Sequence, residues 1–236
     1  MTAAGAGASS AAAQEPVIAP GQPLTGAARL SDEATLSRFA YARTGTPVHA
    51  TPSAFGARVG RLRFQTEDGF AEPYLLLRTT VDSRGRQWVQ LRVPGRPNGR
   101  TGWVVRGALA RFHIVRTHLR INRSTLRAVL YRDGKPIWRA RIGVGTASTP
   151  TPSGHYIVRE RFRITKQGGI YGPYAFGTSA YSVLSDWPRG GVVGIHGTNA
   201  PGLIPGRPSH GCVRLRNDSI LRLKRLMPIG TSVEIV

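Results

Sequence analysis

Short stretches in which apolar and polar residues alternate recur along the chain, and turns rich in glycine, proline and asparagine separate them. Residues 87–93 alternate in this way, as expected for a strand with one buried face. Residues 126–131 and 136–144 do so again on either side of Asp133 and Gly134. An Asp-Gly pair is typical of a tight hairpin turn, because both residues tolerate a positive φ. The pattern therefore predicts a mainly β fold.

One stretch near the end of the sequence has a helical spacing instead. Its apolar positions recur every three or four residues and are Ile220, Leu223, Leu226 and Met227. We expect Asn217 or Asp218 to cap this helix, because short polar side chains accept hydrogen bonds from the first free N–H groups. Pro228 and Gly230 are expected to end it, and residues 231–236 are predicted to form a closing strand.

Composition predicts three parts of the chain. Residues 1–37 are rich in alanine, glycine, serine and proline, which predicts a flexible tail. They lack the basic start and sustained apolar core of a signal peptide, so no export signal is visible. Residues 38–110 are predicted to form a small β domain with Trp88 and Trp103 in its core, and residues 111–236 a second domain. No apolar run approaches membrane-spanning length.

The chain is strongly basic, with a formal net charge of +21 from 33 Lys and Arg against 12 Asp and Glu residues. Most of the excess lies from Arg111 onward, where 20 basic residues face 5 acidic ones. Three interpretations compete: attraction to an anionic cell envelope, a solvated basic surface, and nucleic-acid binding. The basic residues are scattered and no nucleic-acid-binding motif accompanies them. We therefore expect anionic cell-wall polymers to be a more suitable partner than nucleic acid.

The candidate chemistry is concentrated in residues 194–217, which hold the single cysteine and two of the six histidines. Cys212 ends the run Ser-His-Gly-Cys, and His196 follows an apolar, strand-like run. The proline- and glycine-rich residues 199–208 predict a loop that returns the chain to His196. A lone cysteine is more often a small buried apolar residue. An imidazole beside a thiol, however, can produce the nucleophilic thiolate, so the joint pattern favours a cysteine nucleophile.

The spacing of His196, the loop and Ser-His-Gly-Cys-Val-Arg-Leu resembles the signature of the L,D-transpeptidase (YkuD-like) family. Other stretches similar to that family are the hairpin at residues 123–145 and the turns at 149–154 and 172–177, so the resemblance covers about residues 111–236. It implies a β-sandwich catalytic domain with a short helix after the catalytic cysteine. Residues 38–110 resemble a bacterial SH3-like domain, which implies a small β-barrel that docks on cell-wall peptides.

The resemblance also implies roles for the residues at the centre of the motif. Cys212 matches the nucleophile of the family and His196 its base. Gly197 matches the position whose backbone carbonyl orients that imidazole. His210 matches the second histidine of the motif, which shapes the site more than it acts as the primary base.

The remaining motif residues are expected to bind the substrate. Gly211 and Cys212 would offer backbone N–H groups to a developing oxyanion. Ser209 is expected either to contact the substrate or to bond the nearby backbone. Arg214 could hold a peptide carboxylate through two parallel hydrogen bonds. Three tyrosines could line the cleft, and the sequence does not choose among them: Tyr171, Tyr174 and Tyr181.

The implied reaction is acyl transfer without a cofactor. Cys212 would attack the carbonyl of the third residue of a peptidoglycan stem peptide and release D-Ala, and an amine of another stem would resolve the thioester. Resolution by water would make the protein an L,D-carboxypeptidase. Carbapenem β-lactams would acylate the same sulfur. The resemblance implies a location in the cell wall or periplasm.

Three alternatives from other classes remain open. His196, His210 and Cys212 could bind zinc and form a hydrolase, since zinc accepts mixed nitrogen and sulfur ligands. The chain could instead bind the cell wall without catalysis, in which case Cys212 would be dispensable. Nucleic-acid binding through the positive charge is the third, and it predicts strongly salt-sensitive affinity for DNA or RNA.

Overall fold

The computed structural model describes residues 17–165, 168–186 and 188–236. Over these residues the chain forms two β-sheets and a single α-helix, which confirms the mainly β fold. Within the described ranges, no helix is both long and apolar enough to cross a membrane.

The first sheet has eight strands, in the order β4-β3-β7-β6-β5-β2-β8, with β1 paired to β5. Its strands are β1 (Ala28–Arg29), β2 (Ser37–Tyr41), β3 (Pro47–His49), β4 (Arg58–Arg61), β5 (Pro73–Val81), β6 (Gln87–Arg92), β7 (Thr101–Val105) and β8 (His113–Val115). Trp88 is buried in its core as predicted, whereas Trp103 is only half-buried. The likeness of this part to an SH3 domain stays a prediction.

The second sheet has ten strands, in the order β11-β10-β9-β18-β13-β14-β15-β17-β12-β16. Its strands are β9 (Thr117–Asn122), β10 (Arg127–Arg132), β11 (Lys135–Arg141), β12 (Gly143–Gly145), β13 (Gly154–Arg163), β14 (Tyr174–Tyr181), β15 (Val192–His196), β16 (Gly206–Ser209), β17 (Val213–Arg214) and β18 (Ser232–Ile235). Three neighbouring pairs are parallel, namely β9 with β18, β15 with β17 and β12 with β16. The closing strand predicted for residues 231–236 is thus confirmed as β18, which lies inside the sheet.

Local sequence signals explain the hairpin between β10 and β11 and the single α-helix, α1 (Asn217–Leu226). Asp133 and Gly134 adopt φ values of 50° and 74°, as the Asp-Gly signal predicts. The apolar face of α1 packs into the core of the second sheet through Ile220, Leu223 and Met227. The predicted cap is wrong, because Arg216 occupies the N-cap position without a side-chain hydrogen bond. Asn217 has a different partner, described below.

The structure corrects the predicted tail over residues 17–37, while residues 1–16 lie outside the described residues. Strand β1 pairs with β5, and Leu30 is completely buried. Ile18 and Leu24 pack against the same core. A few well-spaced apolar residues thus attach this glycine- and proline-rich segment to the first sheet. The first sheet also continues to Val115, past the predicted boundary after residue 110, and the division into two domains stays a prediction.

Buried ion pairs join the two sheets. The Arg159 guanidinium on β13 contacts Glu72 at 2.8 Å and Glu67 at 2.8 Å, and both carboxylates belong to the first-sheet part of the chain. The side chains of Arg159 and Glu72 are completely buried. A small apolar cluster containing Leu75 and Ile157 lies at the same contact. The first sheet is therefore bonded directly to a central strand of the second.

Candidate active site

Two adjacent parallel strands bring His196 and Cys212 together. His196 is the last residue of β15, at a strand end as predicted, and Cys212 immediately precedes β17. The Gly194 N–H donates to the Cys212 Sγ at 3.4 Å. A Cβ placed on Gly194 would lie 3.8 Å from His196 Cδ2 and 3.9 Å from Cys212 Sγ. The imidazole and the thiol thus both lie beside the space that a side chain at position 194 would occupy.

Backbone and aromatic contacts fix the ring of His196, which is 3% exposed. Its Nδ1 lies 2.6 Å from the Gly197 carbonyl oxygen. A carbonyl can only accept a hydrogen bond, so Nδ1 carries the proton and Nε2 keeps its lone pair. The Tyr171 ring lies edge-on at a centroid distance of 4.9 Å. The structure thus selects Tyr171 from the three candidate tyrosines, since Tyr174 and Tyr181 are buried.

Burial sets the protonation of this pair. It lowers the pKa of His196 to about 4, and the nearby charge of Arg214 acts in the same direction, against the Gly197 carbonyl. Burial also raises the pKa of the Cys212 thiol, although the Gly194 N–H and the charges of Arg214 and Arg189 oppose that shift. At neutral pH the resting site therefore holds a neutral imidazole and a protonated thiol.

The Ser209–Cys212 turn is held by bonds to its own backbone. The buried Ser209 hydroxyl donates to the Cys212 carbonyl at 2.6 Å and accepts from the Gly211 N–H at 3.3 Å. Gly211 has a φ of +122°, which side-chain-bearing residues rarely adopt. Thr151 donates to the Gly211 carbonyl at 2.8 Å. Of the two uses expected for Ser209, the structure places its hydroxyl on the backbone.

Two cavities meet at the pair. The smaller one, about 40 Å³, is lined by Tyr171, His196, Cys212, His210 and Arg214 among others. The larger one, about 190 Å³, shares the first three of these residues and adds Arg189, Phe176 and Gly194. A third cavity of about 780 Å³ lies beside Thr198 and Lys224 and does not reach Cys212. The chemistry-bearing groups thus lie at the junction of the two smaller clefts.

Arg214 and His210 border the smaller cavity in different ways. His210 is exposed, and its backbone carbonyl accepts a 2.8 Å hydrogen bond from the Ser182 hydroxyl. Arg214 is half-buried, and its Nε is buried without a hydrogen-bond partner in the described part of the chain. Arg214 therefore brings a positive charge to the wall of the cleft.

The sequence did not predict a contact that Asn217 makes on the far side of His196. The Asn217 side chain accepts a hydrogen bond from the Thr198 N–H at 2.9 Å. A Cβ on Gly197 would lie 2.9 Å from Pro173 Cδ and 3.1 Å from Gly172 Cα. These short approaches require glycine at position 197 and hold the carbonyl that orients His196. Gly197 was the available sequence signal for this contact. Its partner Asn217 lies 20 residues further along the chain, so the sequence does not show that the two meet.

The described residues do not form the ligand cluster that a zinc site would need. Within residues 17–165, 168–186 and 188–236, no three His, Cys, Asp or Glu side chains converge in a metal-binding arrangement. His196, His210 and Cys212 border one cavity without forming such a group.

Residues 116–235 match the model of the YkuD family, described as the L,D-transpeptidase catalytic domain. The chain belongs to the YkuD family. The match contains every site residue named above, and it begins one residue before β9. All strands of the first sheet lie before it, between Ala28 and Val115.

Two proteins from Bacillus are similar in sequence to this chain. The putative L,D-transpeptidase YkuD of Bacillus licheniformis is 34% identical over 115 residues, covering 49% of this chain and 61% of that protein. Its Bacillus subtilis counterpart is 35% identical over 94 residues, covering 40% and 50%. The chain therefore spans about half to three-fifths of the length of these relatives.

Solved structures of L,D-transpeptidases are also similar to the chain. One from Mycobacterium tuberculosis has a TM-score of 0.46 at 12% identity and covers 82% of this chain and 95% of its own. The catalytic domain of the Enterococcus faecium L,D-transpeptidase has a TM-score of 0.38 at 23% identity, covering 51% and 96%.

Proposed function

We propose that this chain is an L,D-transpeptidase that cross-links peptidoglycan through a thioester on Cys212. Membership of the YkuD family supports the reaction class. The single observation that carries the proposal is the pairing of Cys212 with His196 across Gly194. The ring of His196 is held so that Nε2, the nitrogen able to accept a proton, is not used by the Gly197 carbonyl.

The first half-reaction is acylation of the cysteine. The Cys212 sulfur attacks the carbonyl carbon of the third stem residue while its proton passes to Nε2 of His196. Because burial keeps both groups neutral at rest, this transfer accompanies the attack. The tetrahedral intermediate then expels D-Ala, whose amine takes the proton back from His196. A thioester forms, and one peptide bond is broken.

The developing oxyanion needs hydrogen-bond donors, and the Ser209–Cys212 turn is the candidate source. In this role the backbone N–H groups of Gly211 and Cys212 bind the oxygen. The Gly211 N–H now donates to the Ser209 hydroxyl at 3.3 Å, a long bond that an oxyanion can replace. Ser209 thus acts by keeping the turn in shape through its bond to the Cys212 carbonyl.

The second half-reaction resolves the thioester. An amine of a neighbouring stem attacks the thioester carbonyl, a C–N bond forms, and the C–S bond breaks. His196 accepts the amine proton and returns it to the sulfur. The guanidinium of Arg214, which lines the smaller cavity together with Cys212, binds a substrate carboxylate. His210 contacts the peptide at the mouth of the smaller cavity.

The proposal implies where the chain acts. Peptidoglycan stems lie outside the cytoplasmic membrane, so the enzyme acts in the cell wall or periplasm. The net charge of +21 suits an envelope whose polymers carry carboxylates and phosphates. Stem peptides are the substrates in this account, and anionic wall polymers are a second partner.

The test is product analysis with a donor tetrapeptide and an acceptor stem peptide. We expect a cross-linked dimer with loss of one D-Ala from the wild type and none from Cys212→Ala. A tripeptide alone would instead identify a carboxypeptidase. Turnover that survives Cys212→Ala, or that is lost with a chelator and restored by zinc, would show that the proposal is wrong.

A further inference from the structure

The connection between β14 and β15 borders both clefts at Cys212. We call residues 182–191 the β14–β15 connection and use its described residues, 182–186 and 188–191. Ser182 and Gly191 line the smaller cavity, and Arg189 lines the larger one. Arg189, Gly190 and Gly191 have φ values of 64°, 62° and 76°. Glycine adopts this conformation freely, but an arginine in it needs support from the surrounding structure.

That support comes from the first sheet. The β6–β7 loop, residues 93–100, carries Arg96, whose guanidinium donates to three carbonyl oxygens of the connection. The bonds go to Ser182 at 2.7 Å, Leu184 at 3.0 Å and Gly190 at 2.9 Å. The same guanidinium lies over the Tyr181 ring, 5.1 Å from its centroid. One charged side chain therefore ties the two ends of the connection together.

A second side chain of the loop repeats the pattern at the end of β14. The Asn98 amide donates to the Tyr181 carbonyl at 2.8 Å and accepts from the Tyr181 N–H at 2.9 Å. It thus satisfies both backbone groups of Tyr181, as a neighbouring strand would. Asp68, also in the first-sheet part, pairs with Arg189 at 2.9 Å. Arg96 and Asp68 therefore hold the connection itself, and Asn98 holds Tyr181, the residue that precedes it.

The connection in turn contacts the turn that carries the cysteine. The Ser182 hydroxyl donates to the His210 carbonyl at 2.8 Å. A Cβ on Gly211 would lie only 3.0 Å from that hydroxyl oxygen. Hydrogen bonds therefore run without a break from Arg96 through Ser182 to the peptide unit between His210 and Gly211.

We propose that Arg96 and Asn98 are positioning residues for the active site. The β6–β7 loop of the first sheet fixes the β14–β15 connection, and through Ser182 it aligns the Ser209–Cys212 turn for acylation. The first sheet thereby has a role in the reaction itself, separate from any docking on the wall. The kinetic part of this inference rests on the proposed function.

Hydrogen exchange of the full-length chain tests the structural part without any substrate. The Ser182 N–H, which donates to the Gly191 carbonyl at 2.8 Å, is the reporter within the connection. We expect at least about tenfold faster exchange in residues 182–191 of Arg96→Met and Asn98→Ala, and a smaller increase in Arg96→Lys. The matched control is Arg84→Met, an exposed arginine in the β5–β6 turn, which should exchange like the wild type. Unchanged exchange in both Arg96→Met and Asn98→Ala would overturn the inference.

Acylation kinetics test the functional part with the same variants. We expect the acylation rate at saturating tetrapeptide to fall by about tenfold or more in Arg96→Met and to recover partly in Arg96→Lys. Alkylation of Cys212 by iodoacetamide, which needs no aligned turn, should change by less than about threefold. Faster exchange with an unchanged acylation rate would overturn the positioning role. A wild type that forms no thioester while the exchange result holds would place the fault in the proposed function.

Discussion

At the active site burial leaves the ionisable groups neutral, whereas at the contact between the two sheets opposite charges keep Arg159 and Glu67 ionised. Burial lowers the pKa of His196 to about 4, and no carboxylate in the described part of the chain opposes that shift. Burial also raises the pKa of Cys212, although the charges of Arg214 and Arg189 oppose that rise. Arg159 instead meets Glu67 and Glu72. Burial alone would raise the pKa of Glu67, but the Arg159 charge and the Tyr181 hydroxyl lower it to about 2.

The difference shows that the partners of a buried group decide its protonation state. Opposite charges at the sheet contact lower the pKa of Glu67 and oppose the rise that burial causes in the pKa of Glu72, and they join two parts of the chain. At the active site burial outweighs the nearby charges and leaves a thiol and an imidazole that can exchange a proton when substrate arrives. The contact between the sheets is suited to holding the structure together, and the active site is suited to proton transfer.

Removing the imidazole should have the largest effect. His196→Ala is expected to slow acylation by roughly 10²–10⁴-fold, the range typical of a lost general base. His210→Ala should slow it much less, because its side chain is exposed at the cleft. Intact-protein mass spectrometry over time measures both rates. If His210→Ala proves the more damaging change in a folded protein, the base has been assigned wrongly.

Breaking the charged region should cost stability. Arg159→Met removes the buried guanidinium and leaves Glu72 with Arg63 at 3.1 Å as its remaining partner. We expect the free energy of unfolding to fall by about 3–5 kcal/mol, the range for a buried pair that loses one member. Urea denaturation measures this loss, and adding Glu72→Leu should restore part of it. A loss below about 1 kcal/mol would show that the pair does not hold the sheets together.

The neutral state of the active site has its own signature. Because the pKa of Cys212 is raised, its alkylation by iodoacetamide should be slow at pH 6–8 and should still be rising above pH 9. A preformed thiolate–imidazolium pair would instead give a rate that stays constant through the neutral range. Alkylation rates from pH 5 to 10 decide between the two, with Cys212→Ala as the blank.

An exposed ion pair should contribute least. Arg222 and Asp218 lie 2.9 Å apart on α1, and each side chain is 65% exposed. Arg222→Ala should change the free energy of unfolding by no more than about 0.5 kcal/mol, because water and salt screen such pairs. The same denaturation assay applies. A loss as large as that of Arg159→Met would mean that burial does not explain the contrast.

Sequence reasoning succeeded where the signal was local. The Asp133-Gly134 turn, the stripe of α1 and the position of His196 at a strand end all follow from neighbouring residues. The position of β18 between β9 and β13 does not, because pairing between strands about 80 to 115 residues apart leaves no local pattern.

The site was predictable in its residues more than in its electrostatics. The motif identified His196 and Cys212, but their pKa shifts come from burial by many distant groups. An isolated arginine in a strand, such as Arg159, is indistinguishable in sequence from a surface residue until Glu72 is placed beside it. Arg96 likewise stands in a stretch rich in proline and glycine, and its partners lie 86 to 94 residues away.

Locating the acyl group on the chain tests the central claim most directly. After brief reaction with a donor tetrapeptide, and separately with a carbapenem, peptide mapping by tandem mass spectrometry should find the adduct on Cys212. The peptide adduct should correspond to the donor without its terminal D-Ala, and Cys212→Ala should carry neither adduct. An adduct on a serine, or turnover with no adduct trapped on Cys212, would contradict the cysteine mechanism.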